Sequence, residues 1–209
     1  MASRESNDDI KPQQFDYFLV LDFEATCSRD EKPDPQEIIE FPVLKVNSRT
    51  LETESIFHQY VQPRVHPELT GFCVELTGII QDMVDGQPHI EDVLKSFHAW
   101  MIENGLIDGS TSSVFVTCGD WDLKTMLPSQ CQFFNLPMQS YFRQWINIKK
   151  PFAEAMGVYP KGMMPMLKML GVKHQGRHHS GIDDCKNIAN ILCGLLRRGH
   201  VFKVTGTNQ

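Results

Sequence analysis

The chain has 209 residues, of which 41% are hydrophobic and 22% charged, and this composition predicts one globular domain with a continuous core. No apolar run approaches the roughly 20 residues of a membrane span, so we expect no membrane association. A net charge of −6 argues against a basic nucleic-acid coat protein but allows an enzyme that acts on nucleic acid with bound cations.

The polar ends predict the boundaries of the domain, and the cysteine spacing predicts its compartment. Polar residues at 1–14 and 204–209 predict mobile ends around a domain at 15–203, with no signal peptide or anchor at the start. The six cysteines are scattered and none has C-x-x-C spacing, which predicts reduced thiols. We therefore expect an intracellular protein, cytoplasmic or nuclear.

Apolar runs and turn residues predict five strands alternating with helices. The strands are expected at 17–21, 37–46, 56–61, 114–118 and 145–148, with a hairpin turn between the second and third. Helical patterns are expected at 72–83, 88–104, 151–156, 163–170 and 180–198, and in a stretch that begins near residue 120. This alternation predicts an α/β domain with a mixed sheet and helices on both faces.

Two carboxylates stand at the end of the first predicted strand. Asp22 and Glu24 are separated by Phe23, so strand alternation points both acids to one face and the ring to the other. Two buried anions this close repel each other, and a hard divalent cation such as Mg²⁺ or Mn²⁺ removes that cost. The alternative is a strand end where both acids reach water, and the Asp-x-Glu pattern alone does not decide between them.

A third acid, Asp122, follows the fourth predicted strand. An acid at a helix start can simply stabilise the helix dipole. We expect Asp120 to serve as the N-cap, which leaves Asp122 for another task. Trp121 lies near the C-terminal end of a strand, where α/β sheets bind ligands, and is expected to be either a core residue or a platform for a base.

The last predicted helix opens with a histidine and two acids. Ser180 and Asp183 match a capping box, which gives Asp183 a structural role and leaves Asp184 free to face elsewhere. His179 precedes the cap and is expected on the loop above the helix start. A lone loop histidine is usually a solvated side chain, but here an acid stands nearby.

Four carboxylates from three segments, together with one loop histidine, are typical of a two-metal hydrolytic centre. Two divalent ions about 3.5–4 Å apart would hold a phosphodiester between them. Histidine, with an ordinary pKa near 6.5, is suited to take a proton from the attacking water. We therefore expect these five side chains to converge in space.

These residues are similar to the catalytic signature of the DEDDh family of 3′–5′ exonucleases. The match comprises Asp22-Phe23-Glu24, Asp122, and His179 with Asp184 in H-x-x-x-x-D spacing. The segments FEATC, QEIIEFP, CVELTGI, GDWD, QWINIKK and SGIDDCKNIA resemble the enhanced-RNAi and histone-mRNA exonuclease subfamily over residues 15–203. The short members of that subfamily are the most similar, so we expect no nucleic-acid-binding domain before the core and no zinc-finger tail after it.

The resemblance implies an RNase H-like α/β fold with a five-stranded mixed sheet and two bound Mg²⁺ or Mn²⁺ ions. The implied ligands are Asp22, which would bridge both ions, Glu24, Asp184 and, through water, Asp122. Glu24 and His179 become the catalytic residues, with His179 as the general base. The terminal nucleotide is expected to contact Glu24, Ala25, Phe72, Leu76, Trp121 and His179.

The resemblance also predicts the reaction, which is release of 5′-mononucleotides from the 3′ ends of RNA, with single-stranded DNA as an alternative substrate. The competing hypothesis is an adaptor that keeps the fold and binds RNA or protein without cleavage, and the five filled catalytic positions disfavour it. One departure is Arg177-His178-His179, where relatives carry a proline before the histidine. Spacing assigns the role of the base to His179.

Overall fold

The structure of the chain, a computed structural model, describes residues 10–208. At its centre lies a mixed sheet in which β1 is parallel to β5 and antiparallel to β3. Along one edge β3 pairs with β4, and along the other it pairs first with β2 and then with β1. The strands are β1 Tyr17–Leu21, β2 Glu24–Ala25, β3 Ile38–Asn47, β4 Thr53–Tyr60, β5 Ser113–Thr117, β6 Gln144–Asn147 and β7 Gly206–Thr207.

The predicted α/β fold is confirmed, but the predicted count of five strands is wrong. The five expected strands are present with bounds shifted by up to three residues, and the described residues add the two-residue strands β2 and β7. Two residues are too few to show a hydrophobic period, so only their pairing partners define them as strands. β2 pairs with β3 at Glu24 and Ala25, and β7 pairs with β6.

Seven α-helices in the described residues cover the sheet. A π-helical segment at Asp122–Met126 runs into α4, and a 3₁₀ turn at Ser140–Arg143 leads into β6. Among residues 10–208, none of the helices combines the length and the apolar character that crossing a membrane requires. The helices are α1 Gly71–Thr77, α2 Gln81–Val84, α3 Ile90–Glu103, α4 Leu127–Phe133, α5 Lys149–Met156, α6 Met163–Leu170 and α7 Gly181–Arg197.

Alternation along β1 divides the core into two layers. Phe18 and Val20 pack with α5, α6 and α7, whereas Leu19 and Leu21 pack with α3 and α4 on the opposite face. Helices therefore cover both faces of the sheet, as predicted. The same alternation puts the next residue, Asp22, on the face of α7.

The start of α7 sits directly against the end of β1. Gly181 is the first residue of α7, and a Cβ atom at this position would lie 2.7 Å from the backbone oxygen of Asp22. It would also lie 3.0 Å from a carboxylate oxygen of Glu40. A glycine is therefore needed for this approach, and the approach brings the first turn of α7 to the acids that follow β1.

The two segments predicted to be mobile ends contact the domain where they are described. Residues 1–9 and 209 lie outside the described residues. The side chain of Gln13 donates to the backbone oxygen of His200 and accepts from the N–H of Phe202. In the predicted tail, β7 pairs with β6, and Lys150 Nζ donates to the backbone oxygen of Thr205 at 2.8 Å.

Substitution of Gly181 by alanine tests the seating of α7. We expect Gly181→Ala to lower the free energy of unfolding by about 1–3 kcal/mol, because the added methyl group must displace backbone at the end of β1. Urea denaturation measures the change. Gly71→Ala is the matched control, since Gly71 also opens a helix but has open space around its Cβ position. An equal loss in both variants would contradict the prediction.

Candidate active site

The acids after β1 and the first turn of α7 meet at one point. Oxygen atoms of Asp22, Glu24 and Asp184 all lie within 4.8 Å of one another. Asp22 follows the last residue of β1, Glu24 opens β2, and Asp184 belongs to the first turn of α7. The side chains of Asp22 and Glu24 accept no hydrogen bond from residues 10–208. Their oxygens are therefore available to a ligand.

Asp122 approaches the same cluster from the segment that follows β5, the parallel neighbour of β1. It is the first residue of the π-helical segment and only 5% exposed, and its Oδ1 accepts the backbone N–H of Phe23 at 2.9 Å. Phe23 lies between Asp22 and Glu24 in the chain, so this bond fixes Asp122 beside both. One oxygen of Asp122 is left for other partners.

The predicted N-cap at Asp120 is wrong. Its Oδ1 accepts the indole N–H of Trp145 at 2.8 Å, and no side chain caps the helical stretch that follows. Asp120 therefore ties this loop to β6. Asp120 has a role of its own, as expected, but that role is the hydrogen bond with Trp145 and not the cap of the helix.

The capping box predicted at Ser180 and Asp183 is also wrong. Ser180 is the N-cap residue of α7 but makes no side-chain capping bond. The Asp183 carboxylate instead accepts the backbone N–H of Arg177 and the ammonium of Lys186, each at 3.0 Å. The N–H groups at the start of α7 point to Glu40, a residue of β3.

Asp184 is held by the loop that precedes α7. Its Oδ2 accepts the backbone N–H of His179 at 2.9 Å and lies 3.1 Å from Nδ1 of His178. Asp184 is 4% exposed, so these donors replace the water that burial removes. Sequence reasoning missed the contact of His178, and the departure from the family proline at this position was its only signal.

The two histidines of this loop form one group with Asp184. The rings of His178 and His179 stack with centroids 4.0 Å apart, and a nitrogen from each ring lies within 4.8 Å of an Asp184 oxygen. His179 has a φ of 66°, in the left-handed region, which turns the chain into α7. Burial and the neighbouring His178 lower the pKa of His179, which favours the neutral ring.

Burial and mutual repulsion raise the pKa values of the acids. Burial raises the pKa of Asp22 well above its ordinary value, and Asp122, Glu24 and Asp184 add to the shift. Burial and then Glu40 raise the pKa of Glu24 to about 9. Burial also raises the pKa of Asp122 to about 6 against the hydrogen bond from Phe23, and raises that of Asp184. Clustered oxygens with this cost of ionisation fit a hard divalent cation.

The other residues predicted to contact the nucleotide lie on β2, on α1 and directly before Asp122. Ala25 is buried, and its backbone oxygen accepts the thiol of Cys73 in α1. Phe72 and Leu76 are half-buried one helical turn apart on α1, away from the core side of that helix. Trp121 directly precedes Asp122 and is 38% exposed, which excludes the core alternative of the two left open by the sequence.

α1 is fixed to the segment that follows the first two acids. The hydroxyl of Thr70 caps α1 by accepting the N–H of Cys73 and donates to the backbone oxygen of Cys27. The guanidinium of Arg177 donates to the backbone oxygen of Glu75 near the end of the same helix. α1 therefore contacts both the chain after Glu24 and the histidine loop.

A mixed α/β sheet with four acids at the end of its central strand and a histidine on the adjoining loop has the organisation of a metal-dependent nuclease. A family model described as Exonuclease, RNase_T, matches residues 19–192. The chain belongs to this exonuclease family. The family prediction made from the motifs is therefore confirmed.

Two curated relatives show where in the family the chain lies. It is 60% identical over 207 residues to ERI1 exoribonuclease 3 of Homo sapiens, covering 98% of this chain and 60% of the relative. It is 40% identical over 205 residues to 3′-5′ exoribonuclease 1 of Homo sapiens, covering 96% of this chain and 58% of the relative. The chain thus spans about three fifths of the length of these relatives.

Two solved structures share the fold over almost the whole chain. The nuclease domain of 3′hExo, a DEDDh family member bound to rAMP, has a TM-score of 0.89 and 37% identity, covering 95% of this chain and all of that domain. A 3′-exonuclease in a study of histone mRNA stem-loop recognition has a TM-score of 0.90 and 36% identity, covering 99% of this chain and 71% of that one. The RNase H-like fold predicted from the motifs is confirmed.

Replacement of one acid tests the electrostatic cost of the cluster. We expect Asp22→Asn to leave the melting temperature of the metal-free chain unchanged or higher, because it removes a buried like charge. We expect Mn²⁺ to raise the melting temperature of the wild-type chain, and much less that of the variant. Differential scanning fluorimetry measures both. Asp30→Asn, at an exposed loop position, is the control and should behave as wild type. A Mn²⁺ response retained in Asp22→Asn would contradict the prediction.

Proposed function

We propose that this chain is a 3′–5′ exoribonuclease domain that hydrolyses phosphodiesters at the 3′ ends of RNA and releases 5′-mononucleotides, with single-stranded DNA as a second substrate. The observation that carries the proposal is the cluster of Asp22, Glu24 and Asp184, whose oxygens lie within 4.8 Å of one another. The names of the relatives, which are exoribonucleases, support the choice of RNA.

The four acids are suited to hold two Mg²⁺ or Mn²⁺ ions. Asp22 and Glu24 have both oxygens available, whereas Asp122 and Asp184 each commit an oxygen to a backbone N–H. These two bonds orient the carboxylates before any ion is present. When bound, the ions supply Lewis-acid stabilisation of the charge that develops at the phosphoryl group.

His179 is suited to act as the general base. Its lowered pKa keeps the ring neutral near pH 7, so that a nitrogen can accept the proton of the attacking water. The hydrogen bond from its backbone N–H to Asp184 holds the ring beside the acid cluster. Glu24, which we assign to the cations and to the terminal nucleotide, lies within the same cluster.

The terminal base is proposed to bind between α1 and Trp121. Phe72 and Leu76 offer a half-buried apolar face, and the 38% exposed indole of Trp121 offers a stacking surface. The backbone of Ala25, next to Glu24, completes this set. The terminal base must leave its stack with neighbouring bases to reach this surface, so single-stranded 3′ ends are the favoured substrates.

The proposed compartment is intracellular, in the cytoplasm or nucleus. All six cysteines lie in the described residues and all are free thiols, four of them buried. Unpaired cysteines are typical of reducing compartments.

Cleavage of a 3′-labelled oligoribonucleotide tests the function. We expect release of labelled mononucleotide with Mg²⁺ and none with excess EDTA, because the acid cluster needs cations to hold the phosphodiester. A 5′-labelled copy of the oligonucleotide should shorten one nucleotide at a time, which fixes the direction. Release of label in both conditions, or in neither, would contradict the proposal, and the second result would favour a non-cleaving adaptor.

Single alanine substitutions test which histidine is the base. We expect His179→Ala to lower turnover at least about 10²-fold, as loss of a general base does. We expect a smaller loss, below about tenfold, in His178→Ala, because this side chain contacts Asp184 and has no assigned role in proton transfer. Single-turnover cleavage rates measure both. The reverse order of the two losses would assign the base to His178.

A further inference from the structure

Glu40 is a buried acid of β3 that the proposed mechanism does not use. It is 1% exposed, and its Oε2 accepts the backbone N–H of Gly181 at 2.9 Å. Its Oε1 accepts the N–H of Ile182 at 3.1 Å and lies 2.8 Å from Nε2 of His58. Both oxygens are thus occupied, and three groups from two other elements converge on one carboxylate.

These bonds replace a local helix cap. The first N–H groups of a helix lack partners within the helix, and Ser180 makes no side-chain capping bond to α7. Glu40 satisfies two of these groups from 141 residues away in the sequence, and its negative charge also favours the helix N-terminus. The cap therefore fixes α7 to the sheet, which a cap from the adjoining loop would not do.

The acid at this position has an electrostatic cost as well as its capping role. Glu40 lies directly opposite Glu24 in the pairing of β3 with β2, and like charges opposite each other destabilise a sheet. The charge of Glu40 also helps to raise the pKa of Glu24. The fold therefore places an unfavourable charge beside the acid cluster at the point where the first turn of α7 must be held.

We propose that Glu40 is a positioning residue that sets the place of Asp184 and His179 relative to Asp22. Asp184 lies in the turn whose N–H groups Glu40 binds, and His179 donates its own N–H to Asp184. The same turn approaches the backbone oxygen of Asp22 so closely that Gly181 has no room for a side chain. Displacement of this turn would therefore move Asp184 away from the other acids.

Glu37 provides a matched control for this role. It directly precedes β3, is also 1% exposed, and accepts the backbone N–H groups of Arg64, Val65 and His66 at 2.6, 2.9 and 2.8 Å. None of these contacts involves α7. Glu37→Gln and Glu40→Gln therefore weaken the same kind of hydrogen bond, from a buried carboxylate to backbone N–H groups, in the same stretch of chain. Only Glu40→Gln affects bonds to α7.

The proposal rests on the proposed function, and three measurements test it. For Glu40→Gln we expect a loss of kcat of about 10- to 100-fold with little change in KM, the range typical of residues that orient metal ligands. We expect a similar loss of Mn²⁺ affinity by calorimetry, and faster amide exchange at Gly181 and Ile182. Glu37→Gln should stay within about threefold of wild type in kcat and Mn²⁺ affinity.

Two results would overturn the role of Glu40. One is wild-type kcat and Mn²⁺ affinity in Glu40→Gln, and the other is an equal loss in Glu37→Gln. If Glu40→Gln does not fold, Glu40→Asp keeps the charge with a side chain one methylene shorter, and the proposal then requires the same losses with the charge retained. An inactive wild-type chain would contradict the proposed function alone, because Mn²⁺ affinity and amide exchange are measured without turnover.

Discussion

The close seating of α7 on the end of β1 is the constraint on which the rest of the site depends. Gly181 brings the first turn of the helix within contact of the Asp22 backbone, and Glu40 holds that turn through two N–H groups. Hydrophobic packing with α5, α6 and one face of the sheet holds α7 in this position. The geometry of the acid cluster is thus a consequence of how one helix packs on one strand.

Backbone N–H groups distinguish two kinds of acid in this part of the structure. Glu37 and Glu40 have both oxygens occupied by backbone donors, so they act as anchors between elements. Asp22 and Glu24 have no such donors in the described part of the chain, and burial together with the neighbouring acids raises their pKa values. A carboxylate that is buried without donors is costly as a structural element and useful as a cation ligand. The hydrogen-bond pattern therefore separates Asp22 and Glu24 from the two anchors, whereas Asp122 and Asp184, which each accept one backbone N–H, stand between the two kinds.

The elements with strong periodicity could be predicted from the sequence, and the local hydrogen bonds could not. The apolar run of β1 and the Asp-x-Glu spacing after it predicted two acids on one face. The caps predicted at Asp120 and Ser180 were wrong, because Asp120 binds Trp145 and the start of α7 is capped by a residue of β3. Capping rules use only neighbouring residues in the sequence, whereas the hydrogen-bond partners of Asp120 and of the start of α7 come from distant segments.

By itself, the sequence determined the α/β class and the five longer strands and indicated the candidate acids and histidine, because alternation, apolar runs and motif spacing can be read along the chain. Only the tertiary structure decided which oxygens come within 4.8 Å of one another, that His178 contacts Asp184, and that Glu40 caps α7. Those contacts join residues up to 162 positions apart, between Asp22 and Asp184. Distances of that kind are set by the packing of helices on the sheet, which no local pattern records.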